Sequence, residues 1–203
     1  MQDDALLERS LRAAAAMRDQ VVVVRLDAAA VASAELEPIA AKLALLRSLD
    51  LRVIVVLDAA SNGQAELHAH RLTSAIARHG QRAVGLSSAG IVSVSAETPV
   101  LPEDAAARLI PTVDPLLLVH LCMLRYIPLL YLSILDESGA TVDCAADDVA
   151  AAAGKYLGAS MLVFLRHERP LTPPTLAEPC FQPIRVAATT AGESLLTTIL
   201  HTS

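Results

Sequence analysis

The sequence predicts a three-layer α/β/α sandwich around a mainly parallel central sheet. Three observations predict it. Val21–Leu26 (VVVVRL) and Arg52–Leu57 (RVIVVL) are nearly continuous apolar runs, the mark of strands buried on both faces. Residues 127–171 read strand, turn, helix, strand, and that order requires a crossover between parallel strands. Helical spacing fills most of the remaining intervals between apolar runs. At 203 residues the chain is long enough for one domain, 1–203, with a proper core.

The elements follow in order. Residues 3–17 place Leu6, Leu7, Leu11, Ala14 and Ala15 at helical spacing, with Asp3 and Asp4 favourable at the start, so 1–18 is read as an N-terminal helix packed on its own domain. The strand 21–26 leads to a helix over 37–49 with Ile39, Leu43, Leu46 and Leu49 as its stripe; Pro38 is tolerated near its start. After the strand 52–57, Asn62-Gly63 is expected to break the chain before a helix over 65–79, with Leu67, Leu72, Ala75 and Ile76 inward and Gly80 ending it. Short strands are expected over 83–87 and 91–95, and a connector over 97–103 containing Pro99 and Pro102. A helix over 114–125 carries a wide apolar face. An apolar run through residue 134 reads as a strand, 136–139 (Asp-Glu-Ser-Gly) as turn chemistry, 144–157 as a helix and 161–165 as a strand. Residues 171–183 hold four prolines and no periodicity, so they read as loop; a strand over 184–188 and a helix over 193–200 close the chain.

Composition narrows the function. The net charge is −6 with two lysines, Lys42 and Lys155, which argues against nucleic acid, where clustered cations neutralise phosphate. Apolar residues make up 54% of the chain, and the surplus apolar surface implies a homo-oligomer, at least a dimer, with room for another protein partner. Cys122, Cys144 and Cys180 are odd in number and far apart, so they suggest buried thiols in a reducing, cytoplasmic compartment. The acidic start MQDDALLERS lacks the basic region of a signal peptide. Residues 115–135 resemble a membrane span until His120, Arg125 and Pro128 are counted; helix then strand is the better reading, with no membrane partner. His68 and His70 are two apart and face different ways on a helix, and no third ligand accompanies them, so no metal site is expected.

Several segments carry a resemblance. Ile127-Pro128, the turn Asp136 to Gly139, Asp143-Cys144-Ala145-Ala146-Asp147, and residues 158–171 match in turn an IPV strand, a D-x-x-G turn, an N-I-N-A-D helix start and a GAEKLVLLTDVPGV strand. These motifs mark the amino-acid kinase family, and the chain most resembles its acetylglutamate kinase branch. HGQRAVGLSSAGIVSVSA and RVAATTAGESLLTTIL resemble further segments of that branch, so the likeness runs over most of the chain. It implies an amino-acid kinase-like sandwich and phosphorylation of an acyl amino acid carboxylate with ATP and magnesium.

The chemistry that the resemblance implies is depleted. Holding nucleotide phosphates needs close backbone N–H groups, which glycine permits, and positive charge. Where the family has K-x-G-G after its first strand, this chain has Arg25-Leu26-Asp27-Ala28; where it has H-G-G-G after the second, this chain has Leu57-Asp58-Ala59-Ala60. Two unit charges 4 Å apart repel by about 4 kcal/mol at an effective dielectric of 20, so aspartates at both turns oppose a triphosphate. The family's G-x-R-V-T-D substrate segment has no counterpart after Ser61, its two substrate asparagines align with Asp143 and Ala145, and its final aspartate survives as Asp147. Residues 166–183 stand as a shortened, proline-rich remnant of the nucleotide-binding part, without lysine or glycine.

Three functions are consistent with this pattern. The first is a catalytically inactive relative, a pseudokinase with an assembly or regulatory role and no cofactor. The second is a divergent kinase using ATP and magnesium, with Arg25 and Asp147 as the remaining catalytic pair and Asp27, Asp58, Ala59, Ser61 and Asp143 toward the ligand. The third is a cation- or amine-binding module using Asp27, Asp58 and Asp147 as an acidic crevice.

Overall fold

In a computed structural model, the described residues are 16–58, 62–97, 108–135, 141–142, 144–166 and 185–190. A six-stranded sheet forms the middle layer. Its strands are β1 (Val21–Leu26), β2 (Arg52–Leu57), β3 (Arg82–Ser87), β6 (Tyr126–Tyr131), β9 (Met161–Arg166) and β10 (Arg185–Thr190), in the spatial order β10-β9-β1-β2-β6-β3. Every pairing in it is parallel. β1 and β2 lie at its centre, and all but their first residues are buried. The apolar runs thus reflect two covered faces rather than one.

The pleat sends alternate residues of β1 to opposite layers. Val22, Val24 and Leu26 join a core with α1 (Ala28–Ala32), α2 (Leu36–Ser48) and α3 (Asn62–Arg78), through Ala30, Leu43, Leu46, Leu72 and Ile76. Val23 joins the other core, with Val56, Phe164, Leu118 of α4 (Pro115–Met123), and Val149, Ala150 and Ala153 of α5 (Ala146–Leu157). Small residues along the inner side of α5 let it lie close to the sheet. Its last turn ends on Gly158 at φ 60°, a left-handed position that favours glycine, and Ala159 N donates to Gly154 O at 2.8 Å.

Two small antiparallel units stand apart from the main sheet. β4 (Val92–Glu97) pairs with β5 (Arg108–Val113), and β7 (Ile134–Leu135) pairs with β8 (Thr141–Val142).

The structure corrects four expectations. Asn62 and Gly63 do not interrupt the chain before α3; they lie in its first turn, where N–H groups have no partner four residues back and helix breakers cost little. Leu67 points outward at 54% exposure, whereas Leu72, Ala75 and Ile76 are buried as expected. The apolar run ending at residue 134 is not one strand: β6 stops at Tyr131, and Ile134 starts β7 after a two-residue break. α1 and β5 went unrecognised, the first because five residues are too few for periodicity, the second because Pro111 argues against a strand. In a two-stranded ribbon that proline is tolerated opposite Val94.

The expected helix over 193–200 and the loop over 171–183 lie outside the described residues, as do most of 1–18, the connector beyond Glu97 and Cys180. Among the described residues no helix is long and apolar enough to cross a membrane; the suspect stretch divides into nine-residue α4 and then β6.

Candidate functional site

Arg25 is the one charge in the run VVVVRL, and its position in the pleat decides its surroundings. It follows Val23 on the face covered by α5, level with Val56 of β2 and Phe164 of β9. The side chain is only 9% exposed. An isolated guanidinium buried to that degree would be costly, so its partners matter.

Three aspartates supply them. Asp27 and Asp58 each sit one residue beyond a strand and prolong the ladder: Asp27 N donates to Leu165 O at 3.1 Å, and Asp58 N donates to Leu26 O at 3.0 Å. This places the two carboxylates side by side at the carboxyl rim of the sheet. Arg25 Nη2 donates to Asp58 Oδ2 at 2.5 Å, and Arg25 Nη1 lies 3.3 Å from Asp27 Oδ1. Asp147 arrives from above, in the first turn of α5, and its Oδ1 is 2.7 Å from Arg25 Nε. That approach is oblique to the N–H bond, so it works as charge pairing rather than as an aligned hydrogen bond.

The arrangement explains a local oddity. Asp27 caps the start of α1 by position, with Ala30 N donating to its carbonyl at 3.1 Å, but its side chain makes no capping bond. The carboxylate leans on Arg25 instead. Asp147 serves two charges at once, the guanidinium and the positive end of α5.

One cation among three carboxylates leaves the cluster with a formal charge of about −2. The carboxylates keep partial access to solvent, at 32% for Asp27, 37% for Asp58 and 25% for Asp147, while the arginine does not. The guanidinium fills the space among the acids. A second cation would have to displace it or bind outside the carboxylates, and among the described residues no group of His, Cys, Asp and Glu is arranged to hold a metal ion.

The structure therefore brings together Arg25, Asp27, Asp58 and Asp147 from three places in the sequence. Ala59, Ser61 and Asp143 lie outside the described residues. Lys42 sits within α2, and Lys155 lies in the last turn of α5, opposite the end that carries Asp147. Neither brings an ammonium to the rim. His68 is buried in α3 and His70 is exposed, so they share no site.

One rim residue escaped the sequence reading. Ser88 is fully buried just beyond β3; its N–H donates to Tyr131 O at 3.0 Å and its Oγ accepts from Ser133 N at 2.7 Å. It fixes the exit of β6 to that of β3. The Ser87-Ser88 pair after an apolar strand was its only signal.

The positive charge of the described rim is thus paired with Asp27, Asp58 and Asp147. No protein-family model matches the sequence, and no curated protein matches it. Solved structures do. N-acetylglutamate synthase from Neisseria gonorrhoeae, complexed with coenzyme A and L-arginine, superposes with a TM-score of 0.64 at 16% identity over 84% of this chain and 49% of that one. The same synthase complexed with coenzyme A and N-acetyl-glutamate gives 0.67. A carbamate kinase from Giardia gives 0.52 at 10% identity, over 77% of this chain and 76% of that one. The chain thus spans about half the length of the synthase. At these identities the likeness establishes the amino-acid kinase-like fold and no more.

Proposed function

We propose that the chain is a non-catalytic member of the amino-acid kinase family, nearest its acetylglutamate kinase branch, with an assembly or regulatory role. One observation carries the reading: Arg25, standing where the family's first-strand lysine stands, is enclosed by three aspartates at the carboxyl rim. Ligands of open α/β sheets bind at that rim. Here its cation is spent on the protein's own acids, and incoming phosphate would meet Asp27 and Asp58 first.

The half-length match to the synthase is compatible with the same reading, since a domain of this fold can be part of a longer chain and the fold by itself does not carry an activity. The test is direct. Purified chain is incubated with ATP, magnesium and N-acetylglutamate, and acyl phosphate is trapped with hydroxylamine; the expected result is no product above the protein-free control. Turnover that disappears in Arg25→Ala would establish the divergent kinase instead. The cation-binding alternative is tested in parallel: a melting shift with divalent metals or polyamines, abolished in Asp27→Asn with Asp58→Asn, would favour it.

A further inference from the structure

All strands of the central sheet run the same way, so their first residues share one edge, the amino rim. Register sets four of those residues level. Val21 pairs with Arg52, and Arg82 pairs with Tyr126. Counting back along both strands from the pairing of Val55 with Leu129 puts Arg52 level with Tyr126. Level neighbours on adjacent strands point to the same side of a sheet. Arg52 and Arg82 therefore emerge in one row with Tyr126 between them, and the guanidinium carbon of Arg82 stands 5.9 Å from the centre of the Tyr126 ring. The turns add to the row: Arg18 lies just before β1, Arg125 directly precedes β6, and Arg47 comes from the last turn of α2.

Against these five arginines the rim sets two aspartates. Asp50 takes Arg125 Nη1 at 2.8 Å on one oxygen and Arg18 Nε at 3.5 Å on the other, and Asp19 takes Arg52 Nη2 at 3.5 Å. Arg82 makes no ion pair among the described residues. Arg47 is 4% exposed; its Nη1 donates to Leu51 O at 3.0 Å, and its buried Nε has no acceptor. Burial first, and then the charge of Arg125, lowers the Arg47 pKa; Arg125 weighs on it more than Asp50 or Asp19 does. The rim is thus positive even behind its surface, in a chain whose net charge is −6. Pairing within the chain does not use it up. A guanidinium carries several N–H donors, and Arg18, Arg52 and Arg125 each spend a single nitrogen on a carboxylate there.

We infer that this arginine row docks a short acidic segment of a partner protein, laid across the amino ends of the strands. Chemistry, spacing and reach favour that occupant. Planar guanidinium forks match carboxylates two bonds at a time. Adjacent strands lie about 4.8 Å apart, so Arg52 and Arg82, two strands apart, are separated by roughly 10 Å; one face of an extended peptide presents a side chain about every 7 Å, so acids at alternate positions fall within reach of successive arginines. A long polyanion would run on past the row and meet the acidic remainder of the surface, whereas a short segment ends within it. This inference does not depend on whether the carboxyl rim is catalytic.

Fluorescence anisotropy tests it on the full chain, with a labelled peptide of about eight residues carrying glutamate at alternate positions as the probe. Saturable binding is expected at low salt, about tenfold weaker at physiological ionic strength, and absent for the same peptide with glutamine in place of glutamate. Arg52→Ala with Arg82→Ala should weaken binding by at least about tenfold. Should that pair fail to fold, Arg52→Gln with Arg82→Gln is read in the same way. Lys42→Ala with Arg71→Ala removes the same charge from α2 and α3 and should leave binding within about threefold of wild type. A wild type that does not bind the peptide overturns the inference, including one whose row is covered by its own chain. So do folded arginine variants that bind as wild type, a loss equally large in the α2 and α3 variant, and a single-stranded oligonucleotide of equal charge that binds more tightly than the peptide.

Discussion

The two rims of the central sheet use the same residue types to different ends. At the carboxyl rim, one buried arginine holds three aspartates that retain part of their exposure. At the amino rim, Arg18, Arg52 and Arg125 meet Asp19 and Asp50 in the open. Solvent screens the second network, and exposed pairs of this kind add little to stability. The first replaces the lost hydration of a guanidinium, so its members depend on one another. What differs is burial, which makes one cluster a structural necessity and leaves the other free to face a partner. The amino rim also contains three non-glycine residues in the left-handed region, Asp19, Asp50 and Arg125, at φ values of 63°, 66° and 67°. Charged side chains there terminate turns that glycine would make more easily.

The comparison can be broken most readily at Arg25. Arg25→Met leaves three carboxylates around a neutral side chain, and urea unfolding should show a loss of about 3–5 kcal/mol. A loss below about 1 kcal/mol would place the two rims in the same class. Asp147→Asn and Asp58→Asn each weaken one contact and should cost about 1–2 kcal/mol, read the same way. Combining Asp58→Asn with Arg25→Met should cost less than the sum, since the loss of one acid relieves the repulsion created by the loss of the cation.

A smaller effect comes from His68. Burial first, and then the charge of Arg71, lowers its pKa below the ordinary 6.5. The folded state thus binds the proton less readily than the unfolded chain. Its contribution is complete above the ordinary imidazole value and is lost as the pH falls below it. His68→Leu should flatten the stability profile between about pH 7 and about pH 5, measured by urea midpoints. The smallest effect belongs to the amino rim. The hydrogen bond from Arg125 lowers the Asp50 pKa from its ordinary 3.8. That contribution is present above the ordinary value and disappears as acid takes the pH through the lowered one. Arg125→Ala should lower neutral-pH stability only slightly and reduce the loss on acidification by the same amount, so that the two proteins converge in acid, with the difference larger at low salt.

Much of the architecture was legible because its signals are local. The apolar runs of β1 and β2, the stripes of α2 and α5, and Gly80 after its helix each announce an element over a few residues. Asp27 and Asp58 were legible too, as acids one residue past a strand. Their relation to Arg25 was not, because it depends on the register that sets β1 between β2 and β9 and on the close seat of α5. Nothing in VVVVRL says which layer its arginine faces. Elements that depend on a partner were equally silent: β5 becomes a strand only beside β4, and β7 with β8 is two residues against two. Cys122 was read as a buried thiol, and burial indeed pushes its pKa up to about 11, so it stays protonated and inert at neutral pH.

The way Arg25 is held also bears on how the molecule comes apart. Asp58 lies 33 residues along the chain from it, and Asp147 far beyond that. The contact with Asp58 needs β1 and β2 paired and the contact with Asp147 needs α5 seated as well, so the full grip closes only once all three have met. Interactions made that late act mainly on the rate of escape from the native state. The Arg25 grip should therefore govern how long a folded copy survives more than how quickly a new one forms.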